Sequence, residues 1–412
     1  MEIRNPELIL SSLTTFFLAL LIGLVFSHIF KRLRVPWAVS LVIGGIVLGP
    51  NALGIFELNE IILFLSEVGV IFLMFLAGME VKFSAIRDVW KESTIVGVMT
   101  GMIPALIGFA IGHVFGYGIT VSILLAIILM SSSFAVVMPA LEVRGLIYTK
   151  LGRVIIASTM FQDIFSLIVL GVLLQFITPD SALPIPIWAI LLFFALLAGI
   201  VVKSIPKLHD LFEKMYPSEE GRKDFYEDEL KLVIVILLGA AIIFEFFRFE
   251  TIVGAFFAGL LISEVVESRV LTGKVHILGY GLFIPVFFVT VGAWADLSLF
   301  GETHVWALAA TIVFFSSVSK FFSGWISGMM VGFDAYESSL IGLTSMPQLI
   351  TTLAVVVVSN RLELLPPEVV TSVIILAILT VIMSPMITNQ VMDRAPTKKS
   401  TKPKKKIEPK YH

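Results

Sequence analysis

Long apolar runs, separated by short polar stretches, set the pattern of this chain. A helix needs about 20 mainly apolar residues to cross a bilayer. Thirteen stretches are candidates, at roughly 8–30, 36–50, 60–80, 91–115, 118–142, 152–178, 185–204, 229–247, 251–264, 277–295, 304–331, 336–359 and 367–391. Two of them, 36–50 and 251–264, are short and glycine-bearing and could be tilted or half-buried helices. The count is therefore open by one or two. The pattern predicts an all-α polytopic membrane protein with about 13 transmembrane helices.

Composition narrows the class further. Of 412 residues, 58% are hydrophobic and 15% are charged, against roughly 25% charged in an average soluble domain. So much apolar surface cannot be hidden inside a water-soluble globule. An ordinary soluble enzyme, a disordered chain and a nucleic-acid binder are excluded. There is no cysteine, hence no disulfide, thiolate metal site or cysteine nucleophile. The six histidines are scattered without helical ligand spacing, so no structural zinc site is expected. The spans carry no His-Glu-x-x-His motif and no paired-aspartate protease arrangement. The chain is read as a non-enzyme without a resident cofactor.

The basic residues orient the spans. With the N-terminus outside, loops after odd-numbered spans hold sixteen Lys and Arg residues, and the opposite side holds Arg4, Arg248 and Arg361. That asymmetry follows the positive-inside rule for a plasma-membrane protein. It also places the basic tail, residues 393–412, in the cytoplasm. The first span is too long for a signal-peptide core and is read as retained. A repeat is visible as well. Gly44-Gly45 through Gly49 matches Gly254 through Gly259 at an offset of 210, and each is followed by an apolar helix ending in a glycine-then-acid turn, at Gly78-Met79-Glu80 and Gly292 to Asp296. The two copies run oppositely across the membrane, which predicts an inverted repeat of the kind secondary transporters use.

Ionisable groups deep in a span cost about 2.5–3.5 kcal/mol each on insertion scales, so each needs a reason. Asp163 lies ten residues beyond Arg153, about 15 Å into its span at 1.5 Å per residue. Lys320 lies near the middle of 304–331. Opposite charges at one depth invite pairing, as a static bridge or as a titratable cation site. Glu67, Glu80, Glu142, Glu245 and Glu264 fall nearer span ends, where an interfacial partner suffices; Glu67 is the least comfortable of them. Polar breaks form the second feature. Ser131-Ser132-Ser133, with Pro139 beyond, interrupts 118–142, and Ser345-Met346-Pro347-Gln348, with Thr351 and Thr352 beyond, interrupts 336–359. Such breaks are tolerated where they are buried in protein or line a cavity. Two broken helices that cross would bring four half-helix ends to the centre, each carrying about half an elementary charge. Asp163 would offset the positive ends and Lys320 the negative ones.

Over residues 8–392 the chain resembles the monovalent cation/proton antiporter-2 family, Kef-type and related sodium/proton members. The resemblance is carried by Pro36 to Pro50, Phe75 to Glu80, Ser131-Ser132-Ser133, Gln162-Asp163, Pro285 to Gly292, and Lys320. Gln162-Asp163 looks like the Gln-Asp pair of Kef-type members rather than the Asp-Asp of electrogenic exchangers. The family pattern implies a moving core, about 91–178 and 304–392, and a scaffold that mediates homodimerisation, about 8–80 and 229–295, joined by a linker helix at 185–204. Two features depart from Kef-type members: Pro347 is followed by Gln348-Leu349-Ile350 rather than Arg-Gly-Glu, and no nucleotide-binding domain follows the spans.

The mechanism expected is exchange of Na+ or K+ for H+ at Asp163 by elevator-type alternating access. A buried carboxyl is balanced between desolvation, which favours its protonated form, and nearby positive charge, which favours its anion. Ser132, Ser133 and the Gln162 side-chain oxygen are the expected cation ligands beside Asp163, with Lys320 as charge partner and Ser131 and Pro347 as break positions. One acid carrying one cation or one proton gives electroneutral exchange. The other readings are a passive cation channel and a sodium-coupled organic-acid symporter. Channels favour repeated filters or rings, and a symporter of anions needs more mid-span cations than Lys320.

Overall fold

The computed structural model describes residues 6–32, 35–80, 87–133, 136, 138–177, 225–246, 249–265 and 269–393. The expected span at 185–204 and the basic tail beyond 393 lie outside them. The described residues are helical, with no strand among them. In chain order the helices are α1 (Pro6–Lys31), α2 (Trp37–Leu48), α3 (Glu60–Met79), α4 (Trp90–Val114), α5 (Ile119–Met130), α6 (Met138–Val143), α7 (Lys150–Ile177) and α8 (Phe225–Phe246). They continue as α9 (Thr251–Val265), α10 (Arg269–Leu278), α11 (Ile284–Ala293), α12 (Thr303–Met330), α13 (Ala335–Ser345), α14 (Ile350–Arg361) and α15 (Pro367–Asp393). Eight stretches among the described residues are long and apolar enough to cross a membrane, and α2, α5 and α9 are shorter apolar helices.

Local chemistry sets several boundaries. The Asn59 side chain accepts from the Ile62 N–H at 3.0 Å and starts α3. Asp334 starts α13 with a reciprocal box: its carboxylate accepts from Glu337 N at 2.8 Å, and its own N–H donates to Glu337 Oε2. These caps satisfy N–H groups that no carbonyl inside the helix can reach. The stretch expected at 277–295 is longer than its apolar run indicated. It begins at Arg269 as the amphipathic α10 and loosens into one π-helical turn at Gly279–Phe283 before α11. Pro285 follows at once and lacks the N–H that would bond back four residues, a standard cause of such a local widening.

The helices pack as two groups. In one, α2 lies on α11, α3 on α9, α8 on α9, and α1 on α2. In the other, α4 packs on α5, α7 and α12, while α12 packs on α13 and α15. Glycines set the closest approaches in both. A Cβ at Gly45 would overlap the Val289 carbonyl, and one at Gly292 would overlap that of Val42, so α2 and α11 cross backbone to backbone. Gly259 on Phe75 and Gly78 on Phe256 do the same for α9 and α3. The two glycine motifs of the sequence thus hold equivalent crossings. In the second group, Gly108 and Gly112 of α4 meet α5, and Gly324 and Gly328 of α12 meet α13. With lipid as apolar as the side chains, such close van der Waals packing is what holds membrane helices together.

Candidate functional site

Both expected breaks are present. α5 stops at Met130, where Ser131 turns extended (φ −72°, ψ 159°). α13 stops at Ser345, and residues 346–349 bridge to α14 through Leu349 at φ −145°, ψ −75°. The two interruptions touch. Ser133 N donates to the Pro347 carbonyl at 2.6 Å, and the Ser131 and Thr352 hydroxyls lie 2.9 Å apart. Backbone groups freed by one break are therefore partly met by the other, as burial away from water requires.

Lys320, on α12, is fully buried. Its ammonium donates to the Met130 carbonyl at 2.7 Å, to Ser132 Oγ at 2.8 Å and to Gln162 Oε1 at 2.8 Å. An ammonium has three N–H donors, so all are used. Met130 is the last residue of α5, and the cation thus sits at the negative end of that half-helix. The Ser132 hydroxyl can turn its own proton to Gln162 Oε1 or to the Ser345 carbonyl that ends α13, each 2.7 Å away. The Gln162 amide nitrogen donates to Thr100 Oγ1 at 2.8 Å, which fixes the oxygen toward Lys320.

Asp163 takes a different position. No ion pair joins it to Lys320 among the described residues, although the two charges are close enough to interact. Its Oδ1 is buried and has no hydrogen-bond partner. The Thr351 hydroxyl faces its carboxyl, and Ile350 lies beside it on the wall of one cavity. The acid therefore stands at the positive, N-terminal end of α14. The cavity is about 40 Å³ and is lined among others by Asp163, Ser132, Ser133, Ile350 and Glu80. A water needs about 10–15 Å³ measured this way, so there is room for an ion with a few waters. Ser133 Oγ is also buried without a partner.

The structure thus brings Asp163, Ser132, Ser133, Gln162, Lys320, Ser131 and Pro347 into one locality. It divides them by task. Ser132 and Gln162, expected beside the transported ion, point oxygens at Lys320, while Asp163 and Ser133 keep unpartnered oxygens. Two residues carry more weight than the sequence indicated. Glu80, placed near a helix end as an interfacial acid, shares the Asp163 cavity; its membership of the Phe75–Glu80 motif was the available signal. Gln348, fully buried, donates to Ser316 Oγ at 2.8 Å and keeps an unpartnered Oε1. No cluster of three or more His, Cys, Asp or Glu with metal-holding geometry occurs among the described residues.

Known proteins are similar to this chain in sequence and in fold. The probable Na+/H+ antiporter 3 of Methanocaldococcus jannaschii is 29% identical over 386 residues, covering 91% of this chain and 95% of its own. The Na+/H+ antiporter of Enterococcus hirae is 29% identical over 365 residues, covering 88% and 93%. A solved sodium proton antiporter of Methanocaldococcus jannaschii superposes with a TM-score of 0.66 over 94% of this chain and 99% of that one, at 17% identity, which speaks for the fold. The sequence also matches, over residues 16–394, the family described as sodium/hydrogen exchanger, transmembrane. The chain is a member of that family of membrane antiporters, which are transporters and not enzymes.

Proposed function

We propose that this chain exchanges Na+ for H+ across the membrane and that Asp163 is the group that carries one or the other. The observation that carries the reading is the Asp163 carboxyl itself: one oxygen buried and unpartnered, facing a cavity between the two helix groups, with the neighbouring ammonium already satisfied elsewhere. A carboxylate left so has two remedies, a proton or a metal ion, and both cannot occupy it together. Ser133 supplies a second free oxygen, and Glu80 stands on the same cavity as a second acid. Sodium is favoured because the relatives are Na+/H+ antiporters by name.

Alternating access follows if the site crosses between sides on a moving body. The group of α4–α7 and α12–α15 carries Asp163, Lys320 and both breaks. The group of α1–α3 and α8–α11 contributes the facing wall through Glu80 and Phe256. We assign the first group as the elevator and the second as the scaffold through which two copies dimerise, with the N-terminus outside and the tail cytoplasmic. The test is Na+-dependent proton flux in proteoliposomes containing a pH dye, with K+ and Li+ compared at several pH values. The wild-type chain is expected to accumulate Na+ against its gradient when a pH gradient is imposed. Asp163→Asn is expected to lose at least about 99% of that flux, because neither a proton nor a metal ion is then exchangeable at the site. Retained exchange would place the site elsewhere.

A further inference from the structure

Glu80, exposed at the C-terminal end of α3, lines the cavity, and a charged cluster bridges the seam farther back along the same helix. Arg361, the last residue of α14, donates through Nη1 to Glu67 Oε1 on α3 at 2.9 Å. Through Nη2 it donates to Glu250 Oε2, in the turn before α9, at 2.8 Å. Glu67 and Glu80 are thirteen residues apart on one helix, about 20 Å at 1.5 Å per residue. Arg361 belongs to the group that holds Asp163, whereas Glu67 and Glu250 belong to the facing group. The side chains are 43%, 37% and 14% exposed respectively, so Glu250 is the most enclosed. Glu245, at the end of α8, also bears on the same guanidinium.

A static bridge within one helix group would bear only on packing. This one spans the seam between the two. A guanidinium fork directed at two carboxylates from two elements is geometrically specific, and it can exist only while the groups are closed together at this face. Parting them strands the acids opposite an unmatched cation. We infer that Arg361, Glu67 and Glu250 form a latch that holds the chain in the conformation whose cavity is lined by Glu80, so that Arg361 is a positioning residue setting the balance between the two access states. The inference rests on the proposed movement of one helix group against the other.

The absence of cysteine permits a clean test. Val357 lies four residues before Arg361 on the same face of α14 and is buried. Val357→Cys in the full chain, reconstituted in lipid nanodiscs, labels with a maleimide only when the seam parts at that face. Its labelling rate follows the population of that open form when closing is fast. With Arg361→Gln or Glu250→Gln added, the rate is expected to rise about tenfold, the effect of a latch of about 1.4 kcal/mol. Arg361→Gln removes both carboxylate contacts and Glu250→Gln only one of them, so the double substitution is expected to be no faster than Arg361→Gln alone. Val289→Cys, buried in the facing group, reports general loosening and is expected to stay unlabelled in all backgrounds. Unchanged Val357→Cys labelling in both single variants, additive effects, or equal acceleration at Val289→Cys would each overturn the latch. Labelling needs no transport, so its result is separate from the Asp163→Asn flux. Lost latch coupling with intact Asp163-dependent exchange would remove the latch alone.

Discussion

At the residue scale, three charged side chains near one cavity have three different tasks. Asp163 keeps an oxygen without a hydrogen-bond partner, the Lys320 ammonium donates all three of its N–H groups, and Glu80 lines the cavity at the end of α3. Removing Lys320 leaves the Met130 carbonyl, Ser132 and Gln162 Oε1 without their common donor. Charge-assisted hydrogen bonds of this kind contribute about 1.5–3 kcal/mol each. Lys320→Gln restores part of the donor capacity and none of the charge. It is expected to lower stability by about 2–3 kcal/mol, read as a lower apparent melting temperature in detergent, and to change the pH profile of exchange. A variant unchanged in both would take Lys320 out of the mechanism. Glu80 is exposed at the cavity, so Glu80→Gln should act on capture rather than on the carrier step. The expected result is an apparent KM for Na+ raised about threefold with kcat nearly constant, because one charge at a mouth changes local cation concentration by that order. A fall in kcat of tenfold or more would instead make Glu80 an obligatory ligand.

At the element scale, helices among the described residues were legible from apolar length, and the two interruptions were legible from serines and a proline at mid-span. What the sequence could not give was the choice of partner for Lys320. Its four-carbon stem sweeps several oxygens, and the nearest acid is only one of them; the half-helix carbonyl of Met130 cannot be seen as an acceptor until α5 is known to end there. Arg361 was hidden for a related reason. It ends an apolar run and reads as an interfacial cation, while its partners lie far away in sequence. The glycine motifs were visible, and their use as crossing points needed the fold. Gly259→Val is expected to prevent the approach of α9 to α3, since the added carbons meet the Phe75 backbone, and overpacking of even a few methyls costs about 1–3 kcal/mol. Gly239 has open space around it, so Gly239→Val serves as the control. Gel filtration after mild extraction should show aggregation for the first and a monodisperse peak for the second; equal behaviour of the two would argue against the crossing.

At the scale of the whole molecule, the two helix groups differ in how they can yield. Both are closed by backbone-to-backbone crossings, α2 on α11 and α3 on α9 in the facing group, α4 on α5 and α12 on α13 in the carrying group, so the difference lies in the breaks. The carrying group contains two short non-helical segments that touch at their centre. Amide hydrogen exchange should therefore be slowest in α2, α3, α9 and α11 and indifferent to Na+. The amides of residues 131–133 and of Met346, Gln348 and Leu349 are expected to gain protection of about tenfold when Na+ saturates the site, as ligand linkage requires for a site bound well above its Kd. Uniform protection in both groups would contradict the division.

Those glycine crossings act as rivets. A framework pinned carbonyl to Cα at two points cannot absorb a displacement by flexing, because no side chain lies between the backbones to shear or change rotamer. On the proposed movement of one helix group against the other, displacement is then forced into the joint between the two groups, where it becomes a discrete step and not a gradual strain. Stiffness within each group is thus what makes that proposed displacement behave as a switch.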